Sequence, residues 1–309
     1  MTEWILSAEI ADYPLIIGSE AEDRKEKPMS VWFITGASRG FGAQVAKLAL
    51  AKGNAVVATA RDPRSVTASL GEHPNLMPVA LDVTDEAQAH VAAGEAIRRF
   101  GKIDILLNNA GFGLLGAVEE ATAAEVEALY RTNVFGVLNV VRAVLPHMRR
   151  AHSGHVLNVS SIGGYRSAAG FGVYCSTKFA VEGLTEALAD ELAPLGIKAT
   201  IIEPGYFRTD FLDARSLSVS HARIDDYADT AGAVRAHAAD LNHRQPGDPA
   251  KLAAAIVALG GSPDAPLRMP YGSDTVAAIE AKNAFVAEEL AIWRKVSAST
   301  DFSDDSAAA

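Results

Sequence analysis

The feature that most limits what this 309-residue chain can fold into is an alternation. Short apolar runs occupy residues 31–35, 55–60, 77–81, 103–108, 155–160 and 198–203. They are β-branched or aliphatic at nearly every position, the pattern of strands covered on both faces. Helix-like stretches fill the gaps at 42–51, 85–100, 123–150 and 174–193. Strands alternating with helices predict right-handed βαβ units, and so an α/β fold on a doubly wound parallel sheet.

The chain is 49% hydrophobic and 21% charged, enough apolar material to cover both faces of such a sheet in a single domain. Residues 29–309 are read as that domain. Residues 1–28 are read as an N-terminal extension ending in the charged cluster Glu20-Ala21-Glu22-Asp23-Arg24-Lys25-Glu26-Lys27. No basic segment followed by a long apolar run opens the chain, so no secretory signal is expected. Lys and Arg number 28 against 38 Asp and Glu, a net charge of −10, which argues against nucleic acid or an anionic membrane as partner. The most apolar stretch, 134–145, carries Asn139 and Arg142 and is not read as a membrane span. The single cysteine, Cys175, excludes an intrachain disulfide and fits a reducing cytoplasm. The eight histidines show no ligand spacing, so no metal is expected. Residues 207–248 are polar and follow the last long strand, where a lid over a ligand belongs. Helices are expected at 249–259 and 274–296, the second with a buried stripe of Val276, Ile279, Phe285, Val286, Leu290 and Trp293.

The first strand runs into Thr35-Gly36-Ala37-Ser38-Arg39-Gly40-Phe41-Gly42 and then a helix. Gly36, Gly40 and Gly42 let the backbone turn and approach a pyrophosphate, and the free N–H groups at the helix start favour its charge. The second strand ends Thr59-Ala60-Arg61, without the carboxylate that would bind the ribose 2′-hydroxyl of NAD(H). Arg61 and Arg39 suit a 2′-phosphate instead. NADP(H) is therefore the preferred cofactor, with NAD(H) the alternative if Asp62 supplies the acid. Tyr174 and Lys178 stand four apart, on one face of a helix. An ammonium about 5 Å from a phenol favours the phenolate by roughly 3 kcal/mol at an effective dielectric of 20. That is about two pKa units toward the range where a tyrosine exchanges protons.

These residues occur in one order: Thr35-Gly36-x-x-x-Gly40-x-Gly42, Asp82-Val83, Asn108-Asn109-Ala110-Gly111, Asn133, Asn158-Val159-Ser160-Ser161, Tyr174-x-x-x-Lys178 and Pro204-Gly205. With them the chain resembles the short-chain dehydrogenase/reductase superfamily over roughly residues 29–212, and its C-terminal part resembles 17β-hydroxysteroid and retinol dehydrogenases. The resemblance implies a Rossmann-type fold and a role for each residue. Tyr174 is the general acid in reduction and the base in oxidation. Lys178 lowers its pKa and binds the nicotinamide ribose. Ser161, thirteen residues before Tyr174, binds the substrate oxygen, with Ser160 the competing candidate. Asn133 holds a water beside Lys178. Asp82 and Val83 frame the adenine; Asn109, Ala110 and Gly111 its ribose; Pro204, Gly205 and Thr209 the nicotinamide. A homodimer or homotetramer is implied, through 123–150 and 174–193.

Phe112, Tyr165, Phe171, Tyr206, Phe207, Phe211 and Leu212 fall near motif ends that face the nicotinamide. They imply an apolar pocket for a bulky ketone, aldehyde or alcohol, with Ser161, Tyr165, Tyr174 and Phe207 touching the substrate. Hydride transfer between the nicotinamide and a carbonyl carbon is the expected reaction. The alternatives are a non-catalytic dinucleotide-binding regulator or scaffold, which would be expected to lose the Tyr or the Lys, and an epimerase, which would carry a larger substrate domain.

Overall fold

All six apolar runs form strands of one parallel sheet, and a seventh joins them at the edge. The computed structural model describes residues 29–302, so the N-terminal extension over 1–28 lies outside the described residues. The first half runs β1 (Val31–Ile34), α1 (Gly40–Ala51), β2 (Ala55–Ala60), α2 (Arg64–Leu70), β3 (Leu76–Ala80), α3 (Glu86–Phe100), β4 (Ile105–Asn108) and β5 (Gly113–Leu115). Next come α4 (Ala123–Tyr130), a π-helical turn over Arg131–Phe135, α5 (Gly136–Ala151), β6 (Gly154–Val159), α6 (Ile162–Tyr165), α7 (Gly172–Leu192) and β7 (Ile197–Pro204). The remainder holds β8 (Leu217–Val219), α8 (Ala233–Leu241), α9 (Pro249–Gly260), β9 (Arg268–Tyr271) and α10 (Ser273–Ala298).

The strand order is β3-β2-β1-β4-β6-β7-β9. Direction of travel through the sheet reverses between β1 and β4, which opens a crevice at their carboxyl ends. Successive residues of each strand point to opposite faces, so a strand covered on both sides feeds two cores. On β1, Phe33 joins Leu106, Val140, Val144 and Met148 on one face. Its neighbours Trp32 and Ile34 join Val45, Leu107 and Ile256 on the other. Helix starts follow their caps: the Asp85 carboxylate accepts from Gln88 N before α3, and Thr122 and Glu125 form a capping box at α4.

Three expectations are corrected. The helix expected over 123–150 is interrupted by the π-helical turn that carries Asn133. The 207–248 segment is not a plain polar loop: β8 pairs in parallel with β5, and α8 packs Ala238 into a small core with Leu114, Leu115 and Leu217. The stripe expected to be buried on the last helix is exposed. Phe285, Val286, Leu290 and Trp293 face solvent, while Thr275 and Ala278 near the start of α10 are buried. A 26-residue helix is about 39 Å long and outruns the α6 and β9 surface it packs on. Among the described residues no helix is long and apolar enough to cross a membrane.

An ion pair ties α8 to the segment between β5 and α4. Buried Glu120 accepts from Ala117 N and Ile224 N and pairs with Arg235 Nη1 at 2.6 Å. Arg235 and these backbone donors hold its carboxyl at about 2. Glu120→Gln is expected to speed proteolytic cleavage within 221–235, read by limited digestion against the parent protein. Equal cleavage rates would show that the pair does not anchor this segment.

Candidate active site

A cavity of about 760 Å³ opens at the carboxyl ends of β1, β4, β6 and β7. That volume is in the range of small-molecule sites. Its first half is the glycine loop. Gly36 and Gly40 have φ of +64° and +56°, which favour glycine. A Cβ on Gly36 would stand 3.0 Å from Ala110 Cα, and one on Gly42 would stand 2.5 Å from Gly36 O and 2.6 Å from Asn109 Nδ2. A Cβ on Gly40 would meet nothing within 4 Å. Gly36 and Gly42 thus close the loop onto the end of β4, and Gly40 leaves its surface open. Thr35 Oγ1 accepts from Asn109 N and Ala110 N, and Asn109 Nδ2 donates to Thr35 O and Gly36 O. Asn109 is therefore the lock of the loop as well as part of the wall. No side chain caps α1 at Arg39, which leaves its first N–H groups for a ligand. This cradle fits a pyrophosphate.

Ser38, Arg39, Phe41, Arg61, Asp82, Val83, Ala110 and Gly111 line the same half, whereas Gly42 packs behind the loop. Arg39 Nη2 donates to Arg215 O, between β7 and β8, at 2.7 Å. Asp62 is held by Arg64 through its Nε and Nη2 and does not line the cavity.

The second half gathers around α7. Tyr174 and Lys178 are both buried and both line the cavity. Ser161 caps α6, its Oγ accepting from Gly163 N at 3.0 Å. A Cβ on Gly163 would lie 3.5 Å from Ser161 Oγ and 3.6 Å from Tyr174 Cε1, so one glycine leaves room for both groups. The Ser160 hydroxyl is turned into the protein, where a Cβ on Gly164 would collide with it and with Glu182. Lys178 Nζ donates to Val159 O at 2.8 Å and stands 5.8 Å from the Tyr174 ring centre. Asn133 lies behind the wall: its Oδ1 accepts from Phe112 N, and its Nδ2 donates to Phe112 O and Thr177 Oγ1. A Cβ on Gly111 would lie 3.1 Å from Asn133 Oδ1 and 3.8 Å from Lys178 Nζ, so the three groups converge. Asn133 is carried on the π-helical turn between α4 and α5.

The expected acidification of Tyr174 is not what the unliganded site shows. Burial pushes its phenol far up, and the Ser161 hydroxyl opposes this only in part. Burial also pushes the Lys178 amine down to about 8, against the pull of the Glu182 charge. Desolvation is the largest effect on both groups. The phenol is thereby kept protonated.

Pro204, Gly205, Thr209 and Phe207 line the cavity at the end of β7. Asp274 Oδ2 accepts from Tyr206 N at 2.7 Å and fills the space beside Gly205. Phe207 meets Phe41 edge-on at 5.7 Å, on the glycine-loop side. Phe112, Phe171, Phe211, Leu212 and Leu217 form the apolar remainder. Tyr165 does not belong with them. Its hydroxyl donates to Asn283 Oδ1 and Lys282 Nζ sits over its ring, which draws it against α10 and away from the cavity. Sequence reading missed Glu182, Glu203 and Arg268, which meet behind Lys178 from α7, β7 and β9.

A dinucleotide cradle facing a buried Tyr-Lys pair and a half-buried Ser161 defines a class, the dinucleotide-dependent oxidoreductases. Residues 30–218 match the family model described as short chain dehydrogenase. The chain belongs to the short-chain dehydrogenase/reductase superfamily and is an NAD(P)-dependent enzyme of it. It is 40% identical over 240 residues to the 3-ketodihydrosphingosine reductase of Bacteroides thetaiotaomicron, covering 77% of this chain and 86% of the relative. A short-chain dehydrogenase from Streptomyces avermitilis superposes with a TM-score of 0.82 at 42% identity, over 89% of this chain and 99% of the other. A 3-ketoacyl-(acyl-carrier-protein) reductase from Brucella melitensis complexed with NADH gives 0.65 at 30% identity, over 79% and 97%.

Proposed function

We propose that this enzyme uses NADP(H) to interconvert a bulky apolar ketone or aldehyde and its alcohol, with Tyr174 as the proton donor in reduction. One observation carries the reading: the Tyr174 ring and the Ser161 hydroxyl flank Gly163 on the wall of a cavity that continues into the glycine loop. A bound nicotinamide would supply the hydride to the carbonyl carbon. Ser161 donates a hydrogen bond to the carbonyl oxygen as negative charge grows there. Tyr174 then delivers its proton to that oxygen. Lys178, charged at neutral pH, stabilises the tyrosinate left behind and holds the ribose. Asn133 supports Phe112 and the wall beside Lys178. Burial keeps the Tyr174 phenol protonated, the form that reduction uses.

The substrate class rests on the apolar wall, and the name of one relative, 3-ketodihydrosphingosine reductase, agrees with an apolar ketone. The NADP(H) preference rests on Arg61 and Arg39 on the cavity wall and on Asp62 being engaged elsewhere. Arg39→Ala with Arg61→Ala is expected to weaken NADPH by about tenfold or more and NADH much less, since each charge-assisted bond to phosphate contributes about 1.5–3 kcal/mol. Fluorescence titration reads both affinities, and equal loss for the two would refute a 2′-phosphate site. A homodimer or homotetramer belongs to this reading, supported by Phe135 and Phe179, exposed on the π-helical turn and on α7.

The screen that tests the whole reading follows NADPH and NADH absorbance across apolar ketones and alcohols. Faster turnover of ketones with NADPH is expected. Tight cofactor binding without turnover of any of them would favour the regulator instead.

A further inference from the structure

Behind Lys178 lies a second group of charges that the proposed mechanism does not use. Glu182 stands one turn beyond Lys178 on α7, and Glu203 is the β7 residue just before the Pro204-Gly205 turn. Both are buried. Arg268 on β9 reaches them with Nε, 3.2 Å from Glu182 Oε2 and 3.5 Å from Glu203 Oε1, and pairs through Nη2 with Glu186. All four carboxylate oxygens of the pair are buried without a well-aligned protein donor, and so is the Ser160 hydroxyl beside them. The charged groups facing the pair are Lys178 and Glu186 on α7 and Arg268 on β9; the end of β6 adds only Ser160, and α6 adds only Gly164.

With every group ionised, three carboxylates would share one guanidinium and one ammonium. Two buried carboxylates in contact cannot both hold a charge cheaply, so one retains a proton and donates it to the other. We propose that Glu182 and Glu203 form a buried pair sharing one proton, in which Glu182 is the counter-ion that holds Lys178 in its charged state. Glu203 keeps the proton because burial and then the Glu182 charge raise it, whereas Glu182, also raised by burial, is drawn back down by the Ser160 hydroxyl, by Arg268 and by the Glu203 hydrogen bond. Glu182 acts on Lys178 in the same sense, since its charge draws the buried amine back up. Both acids are positioning residues. They touch neither cofactor nor substrate but set the protonation of a residue that does. The inference rests on the role proposed for Lys178.

The asymmetry gives the test. An amide at 203 copies the protonated acid, whereas an amide at 182 removes the counter-charge. The pH profile of kcat/KM for NADPH-dependent reduction is measured for the parent enzyme, Glu182→Gln, Glu182→Asp and Glu203→Gln. In Glu182→Gln the alkaline limb is expected to move down by about one pH unit, a roughly tenfold loss above the limb with little change well below it. The limb is expected to stay in place in Glu182→Asp and Glu203→Gln. Equal shifts in the two Gln variants, or no shift in either, would overturn the proposal. A second reading needs no activity. The folded pair holds a proton that the unfolded chain releases in the ordinary glutamate range, so native stability falls as pH rises from that range toward the raised value. Thermal melts across pH are expected to lose this slope in Glu203→Gln, and an unchanged slope would also overturn the proposal. Tyr174→Phe assayed on the same ketone keeps the two questions apart. If it stays active, the proposed function fails. If it is inactive and the limb is unmoved in Glu182→Gln, only the carboxylate pair fails.

Discussion

Tyr174→Phe is expected to lower kcat/KM for ketone reduction by about 10²–10⁴-fold, the usual contribution of a positioned proton donor, while NADPH affinity stays close to that of the parent. The substitution removes one hydroxyl. The ring keeps its contacts, with Phe211 at 5.7 Å and Phe171 at 6.1 Å between centres, so the apolar wall persists. Burial that had kept the phenol protonated would now surround an ordinary apolar ring, and the melting temperature should not fall. Turnover and NADPH binding are measured on the same preparation. Retention of most activity would remove Tyr174 from the chemistry, and loss of binding would mean that the hydroxyl holds the cofactor rather than only delivering a proton.

Gly42→Ala is expected to have the opposite signature: cofactor affinity falls and the catalytic residues stay where they are. The added methyl would stand 2.5 Å from Gly36 O and 2.6 Å from Asn109 Nδ2, and the first of these is backbone that cannot swing aside. Relief requires the loop to move off the end of β4, which opens the Asn109 contacts to Thr35 O and Gly36 O. Overpacking of this kind costs about 1–3 kcal/mol, or a ten- to hundredfold loss of NADPH affinity when it falls on the binding loop. Fluorescence titration of the variant gives the number. Parent-like affinity with an unchanged melting temperature would show that the loop does not need its closed form to hold the dinucleotide.

Much of this molecule could be read from its sequence, and the parts that could not share a cause. β1, β2, β4, β6 and β7 were legible because a strand covered on both faces needs no partner to be recognised. β9 was not. Arg268-Met269-Pro270-Tyr271 carries a charge and a proline, and it is a strand only because β7 offers it an edge. The helix α10 forms where it was expected, but most of the stripe read as buried is exposed, because periodicity names a face and not what covers it. In the site, Tyr174 and Lys178 came from local spacing and Ser161 from the family resemblance, and the structure gathers them. Tyr165 sat at the right place in the sequence, yet its direction is set by Asn283, 118 residues away. The group formed by Glu182, Glu203 and Arg268 shows the same limit, because three separate elements bring it together. The acidification of Tyr174 was expected from charge alone, and burial, which sequence does not report, turned out to be the larger effect.

A crystal structure with NADP(H) and a ketone identified by the screen tests the account most directly. The account requires the nicotinamide in the cavity beside Pro204 and Gly205, and the hydroxyls of Tyr174 and Ser161 both about 2.7 Å from one substrate oxygen. A dinucleotide bound elsewhere, or a Tyr174 hydroxyl directed away from that oxygen, would contradict it.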